Sequence, residues 1–235
     1  MEYYSLLLLG LMVGIQHALE ADHLAAVAAL GSGRTSSRTL VLRGSFWGLG
    51  HTATLLLICG LLLILGETIS SRLEALFELA VGLMVMLLGA RVFARLWRER
   101  PHFHVHQHEN GVRHIHAHSH PTAGVAHSES AHHHEHRDLG LVRALAVGMM
   151  HGAAGSAGLL VLAAAASSAI DAVGYVLAFG VGSILGMAAL SFVASYPLGF
   201  LEQSAPWVNA VTGTSIGCAA MVIGSRLVTA SWGAL

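Results

Sequence analysis

Six stretches of this chain are apolar for longer than a soluble core helix needs, and they leave few folds open. They cover residues 3–30, 40–65, 73–96, 141–167, 170–198 and 207–231. A helix needs about 20 mostly apolar residues to cross a bilayer, and a chain inside lipid must satisfy its own backbone hydrogen bonds. The expected fold is an all-α integral membrane protein with six transmembrane helices. Composition agrees: of 235 residues 54% are hydrophobic and 11% charged, with no lysine, whereas soluble domains carry about 25% charged residues. A formal net charge of −1 gives no hint of a nucleic-acid partner; the implied partner is the lipid bilayer. Cys59 and Cys218 sit in apolar runs and read as small buried hydrophobes, not as a disulfide framework. Met1-Glu2 lacks a basic start, so the first segment is expected to stay as a membrane helix and not to be cleaved.

The two halves echo each other. Val13-Gly14-Ile-Gln-His17 returns as Val147-Gly148-Met-Met-His151, and Gly50 before His51 returns as Gly186 before Met187. Gly82, Gly89 and Arg91 return as Gly217, Gly224 and Arg226. Each unit holds three spans, an odd number, so the second must cross the membrane inverted. The organisation is therefore a first three-helix repeat over 1–100, a polar segment over 101–138 and a second three-helix repeat over 139–235. Inverted repeats with a site near the midplane recur among transporters.

Arginine placement sets the orientation. Arg34, Arg38, Arg43, Arg91, Arg95, Arg98, Arg100, Arg113, Arg137 and Arg143 fall on one side of such a topology, and only Arg72 and Arg226 on the other. The positive-inside rule puts the first group in the cytoplasm. Both termini are then expected outside, in a multi-pass protein of the inner (plasma) membrane.

The chemistry concentrates in His17-Ala-Leu-Glu20-Ala-Asp22-His23. Ionisable groups at membrane depth face cavities, pair with one another and mark transport routes. Imidazole with carboxylate is also a good ligand set for a divalent transition metal. On a regular helix, at about 100° per residue, Glu20 lies within about 60° of His17 and His23 about 60° further round, while Asp22 points away. Either the helix is distorted, or Asp22 orients a histidine from another helix and fixes its tautomer. The competing reading is a set of polar groups bridging helices. His51, in Gly48-Leu-Gly50-His51-Thr52, is the next candidate, read either as a ligand or as an ordinary polar contact; Thr52 can bond across an interface. His151 occupies the repeat position of His17, whereas Ser156 replaces Asp22 and Ala157 replaces His23. The candidate metal residues are thus His17, Glu20, Asp22, His23, His51 and His151.

His17, four residues, then Asp22-His23 resembles the signature of the nickel/cobalt transporter superfamily. Leu49-Gly50-His51-Thr52 resembles its second motif, and His151-Gly-Ala-Ala-Gly-Ser156-Ala-Gly resembles the six-helix permeases of urease-accessory type. The resemblance implies that His17, Asp22 and His23 are central to metal recognition, with His51 contributing. Glu20 stands where the family more often has aspartate.

Thirteen of the 17 histidines lie between His102 and His136. The tract, with His102-x-His104-x-His106-x-His108 and a second run from His114 to His120, is read as a mobile cytoplasmic loop able to bind divalent ions while its imidazoles are neutral. The function expected from all this is uptake of nickel or cobalt into the cytoplasm, with Ni²⁺ or Co²⁺ as cargo and no prosthetic group. A cytoplasmic metallochaperone and an oligomer both stay open as partners. Efflux on the same fold is the first alternative, and the chain is not expected to be an enzyme. A zinc hydrolase built on His17-x-x-Glu20 with His23 is the second alternative. A serine enzyme using Ser156 and His151 is disfavoured, because five residues apart on one helix point in different directions.

Overall fold

A computed structural model describes residues 3–31, 36–67, 69–98, 102–107, 113–118, 137–155, 168–202 and 206–235. The helices are α1 (Tyr3–His17), α2 (Ala21–Gly31), α3 (Ser37–Leu65), α4 (Ser71–Arg98), α5 (Arg137–Ala154), α6 (Ala169–Glu202) and α7 (Pro206–Trp232). Local chemistry sets several of the ends. Ser36 caps α3 by accepting from the Thr39 N–H, and Gly66 closes it with φ of 67°, a left-handed conformation that suits glycine. Ser70 and Ser168 cap α4 and α6 in the same way, through Leu73 and Asp171. Pro206 opens α7, where its missing N–H costs nothing.

Four helices, α3, α4, α6 and α7, are long and apolar enough to cross a membrane, and α1 with α2 makes a fifth if that bent pair is one span. One expectation changes here, and another runs beyond the described residues. The first apolar segment is not one regular helix: α1 and α2 meet at 54° across residues 18–20. The turn is tightened by i→i+3 bonds, Leu19 N–H to Gln16 O and Glu20 N–H to His17 O, so the break keeps its backbone groups paired. The fourth expected span, 141–167, is described only as far as Gly155; its apolar helix, Gly140–Ala154, is shorter than a full span, and Ser156 lies outside the described residues.

The polar tract also differs from a structureless loop. The backbone of β1 (His102–Gln107) pairs antiparallel with β2 (Arg113–His118), setting His102 opposite His118, His104 opposite His116 and His106 opposite His114. Histidine alternates there with Phe103, Val105 and Ile115, a period of two suited to strands. The remainder of 101–136 falls outside the described residues.

The exterior is apolar. Leu57, Ile64, Ile170 and Val193 are 63% to 84% exposed, as lipid contact requires. Cys218 belongs to that outer surface, contrary to expectation, while Cys59 is buried beside Leu55 and Tyr175. Polar groups sit inside instead: His23, His51, His151 and Ser183 are all buried.

Helix α3 packs on α5 and α6, α1 on α6, and α4 on α7. Glycine permits the closest approaches. A side chain at Gly148 would strike the Trp47 carbonyl on α3, and one at Gly14 the Phe179 carbonyl on α6. Without a hydrophobic drive between helices in lipid, such close backbone packing supplies the association energy. Gly148→Val should therefore lower thermal stability in detergent by about 1–3 kcal/mol, the usual cost of overpacking. An unchanged melting curve would contradict the described α3–α5 interface.

Candidate metal centre

His51 is the midpoint of the 29-residue α3, so the site it belongs to lies deep in the bundle. His17 ends α1, His23 lies in the first turn of α2, and His151 in the last turn of α5. The break between α1 and α2 is what lets His17 and His23 meet, with ring centroids 4.7 Å apart. His51 stands 5.0 Å from His17 and 5.5 Å from His23, and His151 stands 4.7 Å from His23. Four imidazoles from four helices thus converge.

The hydrogen bonds set their tautomers. The His17 Nδ1–H donates to Glu20 Oε1 at 2.8 Å, the His23 Nδ1–H to Asp22 Oδ1 at 3.0 Å, and the His151 Nδ1–H to the Val147 carbonyl at 3.2 Å. In each ring the other nitrogen, Nε2, is buried and has no hydrogen-bond partner. His51 has no partner at either nitrogen. Buried polar atoms are almost always paired, so four unpartnered Nε2 atoms in one cluster need an explanation. A ring with Nδ1–H held by a carboxylate or carbonyl and a bare Nε2 lone pair is the form in which histidine binds metal.

Two groups have ligand atoms all within 4.8 Å of one another: His17, His23 and His51, and Asp22, His23 and His151. The distorted-helix reading of Asp22 holds, and the histidine it orients is His23 of its own helix. Its Oδ2 lies 3.6 Å from Nε2 of His151 on another helix, but the His151 ring is held by Val147. Glu20 belongs to neither group; its side chain is 56% exposed and is engaged with His17. All six candidate residues are thus gathered, five of them in the two groups and Glu20 behind His17. The Thr52 hydroxyl donates to the Gly180 carbonyl at 3.1 Å, bonding α3 to α6 beside His51 as its type suggested.

Two aromatic residues escaped the sequence reading. Trp47 stacks on His23 at 5.3 Å with a 20° tilt, and also lies 5.3 Å from His151. Phe179 packs 5.4 Å from His17. Trp47 precedes His51 by one helical turn, a spacing that puts the two on one face and could have drawn attention to it. Phe179, on a uniformly apolar helix, carried no such signal.

Among curated proteins, the chain is similar to urease accessory protein UreH of Bacillus sp. (strain TB-90). The two are 29% identical over 195 residues, which cover 82% of this chain and 77% of that protein. No family model matches the chain, and no solved structure matches it. The chain is thus an apolar helical protein with several membrane-capable helices, a buried histidine cluster and similarity to a urease accessory protein.

Proposed function

We propose that this chain is a permease that carries a divalent transition-metal ion, nickel or cobalt, across the membrane into the cytoplasm. The observation that carries the reading is the set of four imidazoles whose buried Nε2 atoms lack hydrogen-bond partners. Imidazole suits nickel and cobalt, and a carboxylate beside it offsets part of the ion's charge. Similarity to a urease accessory protein favours nickel as the cargo. His17, His23, His51 and His151 act as ligands, Asp22 balances charge, and Glu20 orients His17. In this reading the bond from Glu20 to His17 makes that carboxylate a positioning group for the ring, not the general base that the hydrolase reading requires.

The architecture belonging to this function is a pair of inverted three-helix repeats over 1–100 and 139–235. Support comes from packing. Gly82 faces Gly224 and Gly89 faces Gly217 or its neighbours, a pattern unchanged when the halves are exchanged. Thr52 meets Gly180 as Ile184 meets Gly48, and Gly14 meets Phe179 as Gly148 meets Trp47. These contacts make Gly182 the partner of Gly50, one turn from the sequence echo at Gly186, and make Trp47 the counterpart of Phe179. The orientation has both termini outside and 101–138 in the cytoplasm, in keeping with the arginine bias. The side chain of Arg43 lies against Gly140, which sets the start of α5 beside that arginine-rich end.

Purified protein in liposomes provides the test. Wild type is expected to load Ni²⁺ or Co²⁺, and His17→Ala and Asp22→Ala to lose at least about tenfold of that flux, the loss typical when a metal site's ligands or their carboxylate partners are removed. Equal loading by all three, or no loading by wild type, would overturn the reading. In cells, sensitisation to excess nickel marks uptake and protection marks efflux.

A further inference from the structure

The two ligand groups share one residue. We propose that a single ion occupies two overlapping positions in turn, one bounded by His17, His23 and His51 and the other by Asp22, His23 and His151. His23 stays bound while the other ligands exchange. The proposal rests on the permease reading above and adds the path of the ion through the centre.

Geometry carries it. The ring contacts form a row, from Phe179 to His17 at 5.4 Å, His17 to His23 at 4.7 Å, His23 to His151 at 4.7 Å and His151 to Trp47 at 5.3 Å. His23 is in the middle, Phe179 lies beside the His17 end, and Trp47 lies 5.3 Å from both His23 and His151. Within each group the ligand atoms lie within 4.8 Å of one another. An ion bound about 2.0–2.1 Å from each imidazole nitrogen draws such atoms to within about 4 Å. Closing one group on an ion therefore draws His23 toward that end of the row and away from the other. The two positions exclude each other.

Their chemistry differs in a way that suits passage. The first position offers three neutral imidazoles, from α1, α2 and α3. It can replace bound water with nitrogen ligands but puts no carboxylate on the ion itself, Glu20 and Asp22 acting only from behind the His17 and His23 rings. The second adds the Asp22 carboxylate and draws its ligands from α2 and α5. Exchange from one to the other hands the ion from α1 and α3 to α5 without leaving it bare, because His23 remains attached. A transport site has to bind well enough to admit an ion and weakly enough to release it, and paired neighbouring positions are one way to do both.

Cobalt is the probe, because its visible d–d bands report ligand type and geometry. With the full-length protein in detergent, equilibrium dialysis should give wild type one Co²⁺ per chain more than the His51→Leu/His151→Leu double variant, whose remaining binding is that of the histidine tract over 102–136. His51→Leu and His151→Leu should each still bind that additional Co²⁺, about tenfold more weakly, with d–d spectra that differ from each other. The double variant and His23→Ala should bind none beyond that of the tract, and neither single variant should move Co²⁺ into liposomes. Where a leucine variant does not fold, His51→Gln or His151→Gln takes its place. Two Co²⁺ bound by wild type beyond the double variant would overturn the proposal, as would loss of all such additional binding in either single variant. Failure of the permease reading looks different: Co²⁺ binds as described, yet wild type itself carries no metal across the bilayer.

Discussion

His51→Leu is expected to abolish nickel loading while leaving the folded protein at least as stable as wild type. Two features of one side chain produce that pairing. His51 is fully buried, and neither of its ring nitrogens has a hydrogen-bond partner. An unsatisfied buried polar group costs about 1–3 kcal/mol, so an apolar side chain of similar size removes a penalty and breaks no bond. Thermal unfolding in detergent should show an unchanged or raised midpoint. Liposome loading of Ni²⁺ should fall to background, because the other two imidazoles of its group no longer close a site around an ion. A variant that unfolds early yet still transports would identify His51 as a packing residue. Strain or instability reserved for function is the usual reason that a buried group goes unpaired.

Asp22→Asn is expected to weaken metal binding about 10- to 100-fold, the range seen when a carboxylate behind a ligating histidine is lost. The amide oxygen can still accept from the His23 Nδ1–H, which Asp22 now holds at 3.0 Å. What disappears is the negative charge facing His151 Nε2 at 3.6 Å. Comparison with Asp22→Ala separates the two roles: alanine removes orientation and charge, asparagine only charge. Competition of Ni²⁺ against a chromogenic chelator measures both. Should Asp22→Asn bind nickel as wild type does, the charge of that carboxylate would be irrelevant to the site.

Much of the site was legible because its residues are chemically out of place. Histidine and carboxylate on an apolar stretch are conspicuous, and the six residues singled out on that ground do gather at one place. The break that gathers them was not legible. Ala18 and Leu19 are strong helix formers, with neither glycine nor proline to mark a bend, so local propensity argued for continuity and the fold overrode it. Helix angles did expose the conflict, since no straight helix brings His17, Asp22 and His23 to one point. The strand pair was missed for a different reason. Searching the tract for the helical period hides a two-residue alternation of histidine with Phe103, Val105 and Ile115. The aromatic walls were invisible because Trp47 and Phe179 look like any other apolar side chain until the neighbours they stack on are known.

The break between α1 and α2 has an electrostatic consequence. Helix α1 ends at His17, and α5 ends at Ala154, one turn beyond His151. Each helix end carries roughly half a negative charge from its aligned peptide groups. At the break the start of α2 adds the opposite half charge, so the pair nearly cancels and the α5 end leaves about half a negative charge at the centre. Helix α2 begins at the same break, so Glu20 and Asp22 sit at its positive end, where the backbone favours carboxylates. Interrupting one span therefore gives the two carboxylates a backbone end that favours their charge. Removal of a single carboxylate should then reduce the attraction for a cation without extinguishing it, since the other carboxylate and the α5 end remain.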